Sequence, residues 1–348
     1  PGQATLHVNL PAIIANWRDL RARHGAPAAA VVKAEAYGLG AGAVGRALRD
    51  AGCGFFFVAH LTEGLALRAA LGPGPDIAVL NGFPPGADGD AKLIPVLNQL
   101  GDVDAHRGPA ILHLDTGMSR LGLDGREAAI LAEDPARMRR LNLRYVMTHL
   151  ACADEPDHPL NETQRARFAA LADRIAPGVP RSFANSSGIF LGPGFRSDLA
   201  RPGCALYGIN PTPGAPNPMR QVARVEAVIL QIRGVATGDT VGYGASWAAP
   251  EPRRIATVAA GYADGYLRSL SGRSFALLLG RAVPLVGRIS MDLTTFDVTD
   301  VPQARPGDRL TLIGGNGNTP DDIAARCGTI GYEILTSLGR RYARQYES

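Results

Sequence analysis

Lysine is scarce in this chain. Of its 348 residues, 36 are Lys or Arg, yet only Lys33 and Lys92 are lysine, which leaves 34 arginines. Lys33 stands in the apolar run "AAAVVKA" (28–34). A lysine placed there, where arginine is otherwise preferred, points to something guanidinium cannot supply: an amine that loses its proton and attacks a carbonyl. Burial serves that use, because an apolar setting disfavours the ammonium. His60, Asn81, Asp115, His149 and Ser186 also stand at or near the ends of apolar runs. A lone His or Ser at such a place is usually a satisfied loop residue. Repetition across several runs is what suggests convergence on one site.

The elements that would position these groups are legible as short apolar runs. They are "AAAVVKA" (28–34), "FFFVAH" (55–60), "DIAVLNG" (76–82), "LIPVLN" (93–98), "AILHLDTG" (110–117), "RYVMTHL" (144–150), "RSFANSS" (181–187) and "CALYGIN" (204–210). Each is of strand length and almost continuously apolar, as strands buried on both faces are. Helical patterns such as "GAVGRALRDAG", "LTEGLALRAALG" and "ETQRARFAALADRI" lie between several of them. Eight strands with intervening helices predict an N-terminal (β/α)8 barrel, whose catalytic groups gather at the C-terminal strand ends. The segment "QLGDVDAHRGPA" is too short and too broken by Gly and Pro for a full crossover helix, so a degraded or absent helix is expected there. After about residue 220 the runs "VARVEAVILQIRGV", "RRIATVAAG", "SFALLLG", "AVPLVG", "TTFDV" and "RLTLIG" are separated by turn residues. They predict a mainly-β domain over 221–348, joined to a barrel over 1–220 through "TPGAPNP".

Composition excludes several classes. Hydrophobic residues make up 46% and charged residues 20%, an ordinary globular balance. The net charge of +4 comes without a basic block interleaved with aromatics, so no nucleic-acid partner is expected. Cys53, Cys152, Cys204 and Cys327 form no C-x-x-C pair, which argues against a zinc site and a disulfide framework. Free thiols in a reducing cytoplasm are the expectation. No apolar run reaches about 18 residues and no leader pattern opens the chain, so neither membrane spanning nor export is expected.

The motifs sharpen the chemistry. "VVKAEAYGLG", "LHLDTGMSRLGL", "THLACAD", "FANSSG", "RPGCALYG", "VGYGASW", "GYADGY", "VGRISMD" and "GYEI" occur in this order across almost the whole chain. Together they resemble the alanine racemase family, pyridoxal-phosphate enzymes built from an N-terminal barrel and a C-terminal β domain. The resemblance implies that Lys33 binds pyridoxal 5'-phosphate as an internal aldimine and acts as the base on one face of the substrate. It implies that Tyr262 is the opposed base. Tyr37, Ser186, Tyr332 and the backbone N–H groups of Gly203 and Cys204 would hold the phosphate. Arg201 would face the pyridine nitrogen and His149 would pack on the ring. Arg120, helped by the backbone of Met291, would bind the substrate carboxylate. No metal is implied.

The same resemblance implies a cytoplasmic homodimer with shared active sites, in which Lys33 comes from one chain and Tyr262 from its partner. The implied reaction is two-base interconversion of L- and D-alanine. A racemase of another small amino acid such as serine, or a non-catalytic cofactor-binding protein on the same barrel, are the rival readings. Tyr262 separates catalysis from mere binding, since a binding module needs no second base. Two departures stand out. His113 occupies the position where many members carry a lysine, often carbamylated, that orients the carboxylate-binding arginine. Ser182 stands where some members have histidine beside the arginine that corresponds to Arg201.

Overall fold

The apolar runs of the first half become one parallel sheet. In the computed structural model, which describes residues 3–84, 86 and 92–348, the strands Ala30–Val31, Phe55–Val58, Asp76–Val79, Leu93–Leu97, Gly108–His113, Leu141–Met147 and Arg181–Ser182 pair in chain order, each parallel to the next. Alternate side chains divide between the two faces. Val31, Phe57, Ala78, Ile94, Ile111 and Met147 pack in one cluster inside the wall. Ala110, Leu112 and Val146 face outward onto Leu131, Phe168 and Ala172 of the covering helices. Each large side chain buried this way stabilises by about 1.5–3 kcal/mol, which is why continuous apolar runs are needed here. The covering helices include Ala41–Asp50, Leu61–Leu71, Gly125–Glu133 and Pro159–Ile175. Between the fourth and fifth strands of this sheet only Leu100–Ala105 is helical, six residues long, matching the degraded helix expected from that Gly- and Pro-interrupted segment.

The eighth strand lies elsewhere than expected. "CALYGIN" is not a strand: Cys204–Tyr207 forms a 3-10 turn ended by Gly208 at φ 79°. The wall closes instead through the residues just before it. Ala200 bridges to Ala28 and Arg201 to Asn185, both parallel. Ala29 N–H donates to Ala200 O at 2.9 Å and Val31 N–H to Pro202 O at 3.0 Å, while Arg201 N–H donates to Ala184 O at 2.8 Å. Pro202 has no N–H to extend this ladder, so the pairing stops and the apolar run that follows turns instead.

The wall belongs to a unit spanning Ile13–Arg220; a second unit joins residues 1–12 to Gln221–Ser348. The expected assignment of 1–220 to one domain therefore differs at its N-terminus. Ala4–Asn9 is a strand that pairs antiparallel with Ala223–Val235 and parallel with Ala343–Glu347. Its alternation buries Leu6 and Val8 completely and leaves His7 half-buried. The second unit is an eight-stranded sheet. The 13-residue strand Ala223–Val235 pairs along its first half with Arg309–Ile313 and along its second with Arg253–Val258. Phe275–Leu278, Arg281–Pro284 and Thr294–Asp297 complete the sheet with Ala343–Glu347. Two short helices, Pro320–Cys327 and Gly331–Thr336, follow. Among the described residues no helix is long and apolar enough to cross a membrane.

Candidate active site

Lys33 follows the first strand of the wall and opens an unusual turn. Ala34, Glu35 and Ala36 have φ of 52°, 56° and 51° with ψ of 49°, 45° and 52°, and Tyr37 has φ 56°. Four consecutive non-glycine residues thus make one left-handed helical turn. Its own bonds run from Ala36 N–H to Val32 O at 2.9 Å, Gly38 N–H to Ala34 O at 2.8 Å and Gly40 N–H to Glu35 O at 2.7 Å. Left-handed helix costs L-residues roughly 1–2 kcal/mol each, so the surroundings must hold this turn in place. Burial lowers the Lys33 amine pKa, the charge of Arg120 lowers it further, and the carboxylate of Glu63 opposes both.

The turn delivers Tyr37 to a close-packed cradle. The Tyr37 ring lies 4.7 Å from that of Tyr207, whose hydroxyl donates to Val31 O at 2.8 Å. Burial pushes the Tyr37 phenol up, so it stays protonated and able to donate. Gly203 has to be glycine here, because a Cβ would sit 2.6 Å from the Tyr37 hydroxyl. Ser186 is buried, and its Oγ accepts from Gly203 N–H at 2.9 Å and Ala205 N–H at 3.2 Å. A hydroxyl that already accepts twice has its own proton left to donate. Cys204, also buried, begins the turn beside it. Neutral donors gathered around a glycine cradle suit an anion such as a phosphate ester.

A second group surrounds Arg201, a buried guanidinium. Its Nη1 donates to Ser182 Oγ and its Nη2 to Thr148 O, both at 2.6 Å. Ser182 in turn donates to Leu199 O at 2.8 Å. The serine that departs from the family pattern therefore still braces Arg201. Burial lowers the Arg201 pKa to about 10, which leaves it charged at neutral pH. Thr148 Oγ1 lies 2.8 Å from Thr116 Oγ1, and Gln164 Nε2 donates to Thr116 Oγ1 at 3.1 Å and to His149 O at 2.9 Å. These bonds tie the backbone carrying His149 to the helix Pro159–Ile175. His149 stays neutral: burial comes first, then Arg201, Arg120, His113 and Lys33, all lowering its pKa.

Arg120 is presented by a separate turn. Asp115 Oδ1 accepts from Gly117, Met118 and Ser119 N–H at 2.9–3.1 Å, and Ser119 adopts φ 55°. Arg120 is exposed and makes no hydrogen bond or ion pair among the described residues. His113 does not reach it. Asn98 Nδ2 donates to Leu80 O at 2.9 Å and Val96 O at 3.2 Å, which leaves Asn98 Oδ1 to accept from His113 Nδ1 at 2.8 Å. The proton therefore sits on Nδ1, and the buried Nε2 has no partner among the described residues. Burial lowers the His113 pKa to about 3, with Arg201 adding to the effect, so the ring is neutral.

His60 and Asn81, also singled out by their positions, meet each other: Asn81 Nδ2 lies 3.3 Å from His60 Nδ1. They line a cavity of about 980 Å³ with Asn98, Asp102, His106 and Leu121. Sequence reasoning missed Thr148 and Gln164, which have no motif of their own, and Glu63, which lies inside a helix start.

The remaining expected site residues belong to the second unit. Tyr262 opens the 3-10 turn Tyr262–Asp264 and is 40% exposed, while Met291 is 53% exposed. Tyr262 N–H donates to Ser290 O and Ala263 N–H to Met291 O, each at 3.0 Å, so the two segments are stitched together. A Cβ on Gly261 would lie 2.3 Å from Ser290 O. Asp264, buried, accepts from Gly261 N–H at 2.9 Å and from Arg341 Nε and Nη2 at 2.7 and 2.8 Å. Arg341 Nη1 also reaches Asp292, the neighbour of Met291, at 2.7 Å. Tyr332 sits half-buried on the helix Gly331–Thr336.

Comparison with known proteins agrees over the full length. The model of the alanine racemase N-terminal domain matches residues 8–211, and that of the alanine racemase C-terminal domain matches 222–346. An alanine racemase of Acidiphilium cryptum is 56% identical, with 99% of each chain covered. A catabolic alanine racemase of Mesorhizobium japonicum is 48% identical over 99% of this chain and 93% of its own. Among solved structures, an alanine racemase of Bartonella henselae with covalently bound pyridoxal phosphate has a TM-score of 0.95 at 40% identity, covering all of both chains.

Proposed function

The chain belongs to the alanine racemase family, and on that premise we propose that it interconverts L- and D-alanine with pyridoxal 5'-phosphate. One observation carries the reading: one of two lysines in the chain stands at the end of a barrel strand, its amine pKa held down by burial and Arg120. The residues around it fit the cofactor. Tyr37 and Ser186 bring hydroxyl donors beside the Gly203–Cys204 backbone. Gly203 N–H itself donates to Ser186 Oγ, so it orients that hydroxyl rather than acting as a phosphate donor, and a Cβ at Gly203 would crowd the Tyr37 hydroxyl. The family resemblance assigns a further phosphate contact to Tyr332. Arg201, buried and charged, would face the pyridine nitrogen, and neutral His149 would pack on the ring.

Pyridoxal phosphate, when bound, supplies the carbonyl that Lys33 attacks and a ring that spreads the charge developing at the substrate Cα. Lys33 Nζ, its pKa lowered by burial and Arg120, takes or returns the proton on one face of that carbon. Tyr262 Oη does so on the other face, so neither base has to cross the substrate. Arg120 binds the substrate carboxylate, and its exposed guanidinium, without a partner among the described residues, has its donors available for that. The Met291 backbone assists.

The active form in this proposal is a cytoplasmic homodimer. The second unit of one subunit places Tyr262 and Met291, both exposed in a single chain, against the Lys33 turn of its partner and excludes water there.

Complementation tests this arrangement. Lys33→Ala and Tyr262→Phe homodimers should each be nearly inactive in a chiral alanine assay. A mixed dimer has one site with both lesions and one with none, so reassociating the two dead proteins should restore about half the wild-type rate per mixed dimer. No recovery in a mixture shown by mass spectrometry to contain mixed dimers would overturn the shared site. A borohydride-stable cofactor adduct retained by Lys33→Ala would overturn the role of Lys33.

A further inference from the structure

The left-handed turn behind Lys33 satisfies the N–H groups of Ala36, Gly38 and Gly40 internally, but not that of Ala34. Ala34 N–H donates instead to Glu63 Oε1 at 2.7 Å. The other oxygen of the same carboxylate, Oε2, accepts from Ala59 N–H at 2.8 Å and His60 N–H at 3.0 Å. Ala59 and His60 directly follow the strand Phe55–Val58, and Glu63 lies in the first turn of the helix Leu61–Leu71. One carboxylate thus ties the residue bonded to Lys33 to the end of the neighbouring strand and the start of the next helix. Three backbone donors on one carboxylate make a directional, charge-assisted anchor. A conformation that its own residues disfavour persists only where neighbours over-determine it.

We propose that Glu63 is a positioning residue for the Lys33 amine, its carboxylate locking the left-handed turn that aims Nζ at the reacting atoms. The proposal rests on the reading of Lys33 as the cofactor lysine. Glu63 acts through Ala34 rather than on substrate, and it has a second, separable effect. Its negative charge favours the Lys33 ammonium, opposing burial and Arg120. Removing the charge while keeping the size, as in Glu63→Gln, should therefore shift the acid limb of amine reactivity to lower pH. Losing the tether should cost turnover more than substrate affinity, because the carboxylate-binding residue Arg120 lies on another turn.

The test uses apo protein with pyridoxal 5'-phosphate as the probe, and racemisation of L-alanine by the loaded enzyme. Glu63→Ala should keep KM within about threefold and lower kcat by about 30–100-fold, the scale of an ångström-level misplacement. Amide exchange of the peptide spanning 33–38 should quicken in the apo form. Ala34→Gly added to Glu63→Ala should recover up to about fivefold of the lost kcat, since glycine enters this conformation without the Cβ penalty of roughly 1 kcal/mol. A merely structural glutamate would give no such rescue and no shift of the pH limb. If Glu63→Ala fails to fold, Glu63→Gln decides by the same exchange rate and pH limb. Wild-type kcat, exchange and pH limb in Glu63→Gln would overturn the proposal. Lys33→Ala run in parallel separates the two levels: adduct kept there defeats the cofactor-lysine reading, whereas adduct lost there with an unaffected Glu63 variant defeats the positioning role alone.

Discussion

The turn carrying Lys33 runs through four non-glycine residues at positive φ, whereas the turn carrying Tyr262 has glycine wherever backbone crowds backbone. Both are anchored by a carboxylate that accepts backbone N–H groups, Glu63 in one and Asp264 in the other. The anchors differ. Glu63 holds a conformation that sterics disfavour but space permits. Asp264, itself gripped by Arg341, holds a path that only glycine can follow. The lesson is that a side chain can be fixed either by tethering a strained segment or by packing it so tightly that no other course exists. The first depends on hydrogen bonds, the second on volume.

Packing should be the less forgiving of the two. Gly265 has φ 88°, and a Cβ there would lie 2.0 Å from Ser337 O, a backbone atom that cannot swing aside. Gly265→Ala is expected to lower stability by about 3 kcal/mol or more and kcat by over about a hundredfold. Urea unfolding and steady-state racemisation measure the two. A variant with wild-type midpoint and rate would show that the Tyr262 turn has slack, and the contrast would fail at its strongest point.

The two turns also differ in how far sequence reveals them. "GYADGY" announces a tight turn through its glycines. "KAEAY" reads as ordinary helix-forming sequence, and nothing in it signals the opposite hand, because non-glycine left-handed residues depend on tertiary contacts. Glu63 was hidden for a related reason. It reaches back to the N–H three residues before it as a capping glutamate does, but His60 stands where Ser or Thr would have marked the pattern. The barrel wall was legible because buried parallel strands must be continuously apolar. Its last stave was misplaced because "CALYGIN" is equally apolar, and only the missing N–H of Pro202 stops the ladder earlier. The strand Ala4–Asn9 shows the alternation of a half-buried strand, but its partners lie more than 200 residues away and no local signal assigns it to them. Residue roles came from motifs, while the network of Thr148, Thr116 and Gln164 behind His149 has none.

Next in size is the clamp on the Tyr262 side. Arg341→Met leaves Asp264 buried without its guanidinium and frees Asp292 beside Met291. Loss of about tenfold in kcat is expected, and Arg341→Lys should recover little, because a lysine cannot bond both Asp264 oxygens and Asp292 at once. If Arg341→Lys matches wild type, charge alone suffices, and the clamp is not geometric.

A smaller, pH-dependent effect separates the Lys33 side. There His113 is kept neutral, with a pKa of about 3, first by burial and then by the charges of Arg201 and Arg120, against the opposing carboxylate of Asp115. The unfolded chain would protonate this histidine near pH 6.5 while the folded one resists. Stability is therefore fully present above about pH 6.5 and falls as pH drops towards about 3, by about 1.4 kcal/mol per unit from this residue. His113→Gln should flatten that slope by up to one proton in urea titrations at pH 4.5–6.5. Activity should not respond to added bicarbonate, since a neutral imidazole bonded to Asn98 forms no stable carbamate. An unchanged slope would mean that His113 is hydrated or charged in solution.

The smallest effect is the most pointed for the comparison. Ala34→Gly alone places glycine at φ 52° on an exposed position, with Glu63 still in place. Removing the Cβ relieves a left-handed penalty of roughly 1 kcal/mol, and the added freedom of the unfolded glycine takes back about 0.5–1 kcal/mol. Stability should thus stay within about 0.5 kcal/mol of wild type, and kcat within about twofold. The reciprocal changes are then sharply unequal: glycine is admitted where alanine stands in the Lys33 turn, but alanine is refused where glycine stands in the Tyr262 turn. If the turn instead occupied an ordinary right-handed conformation in solution, Ala34→Gly would lower stability by about 1 kcal/mol, as glycine does inside a normal helix. Such a loss, measured by urea unfolding in the same buffer as Gly265→Ala, would remove the strained tether from the comparison and leave both turns fixed by packing.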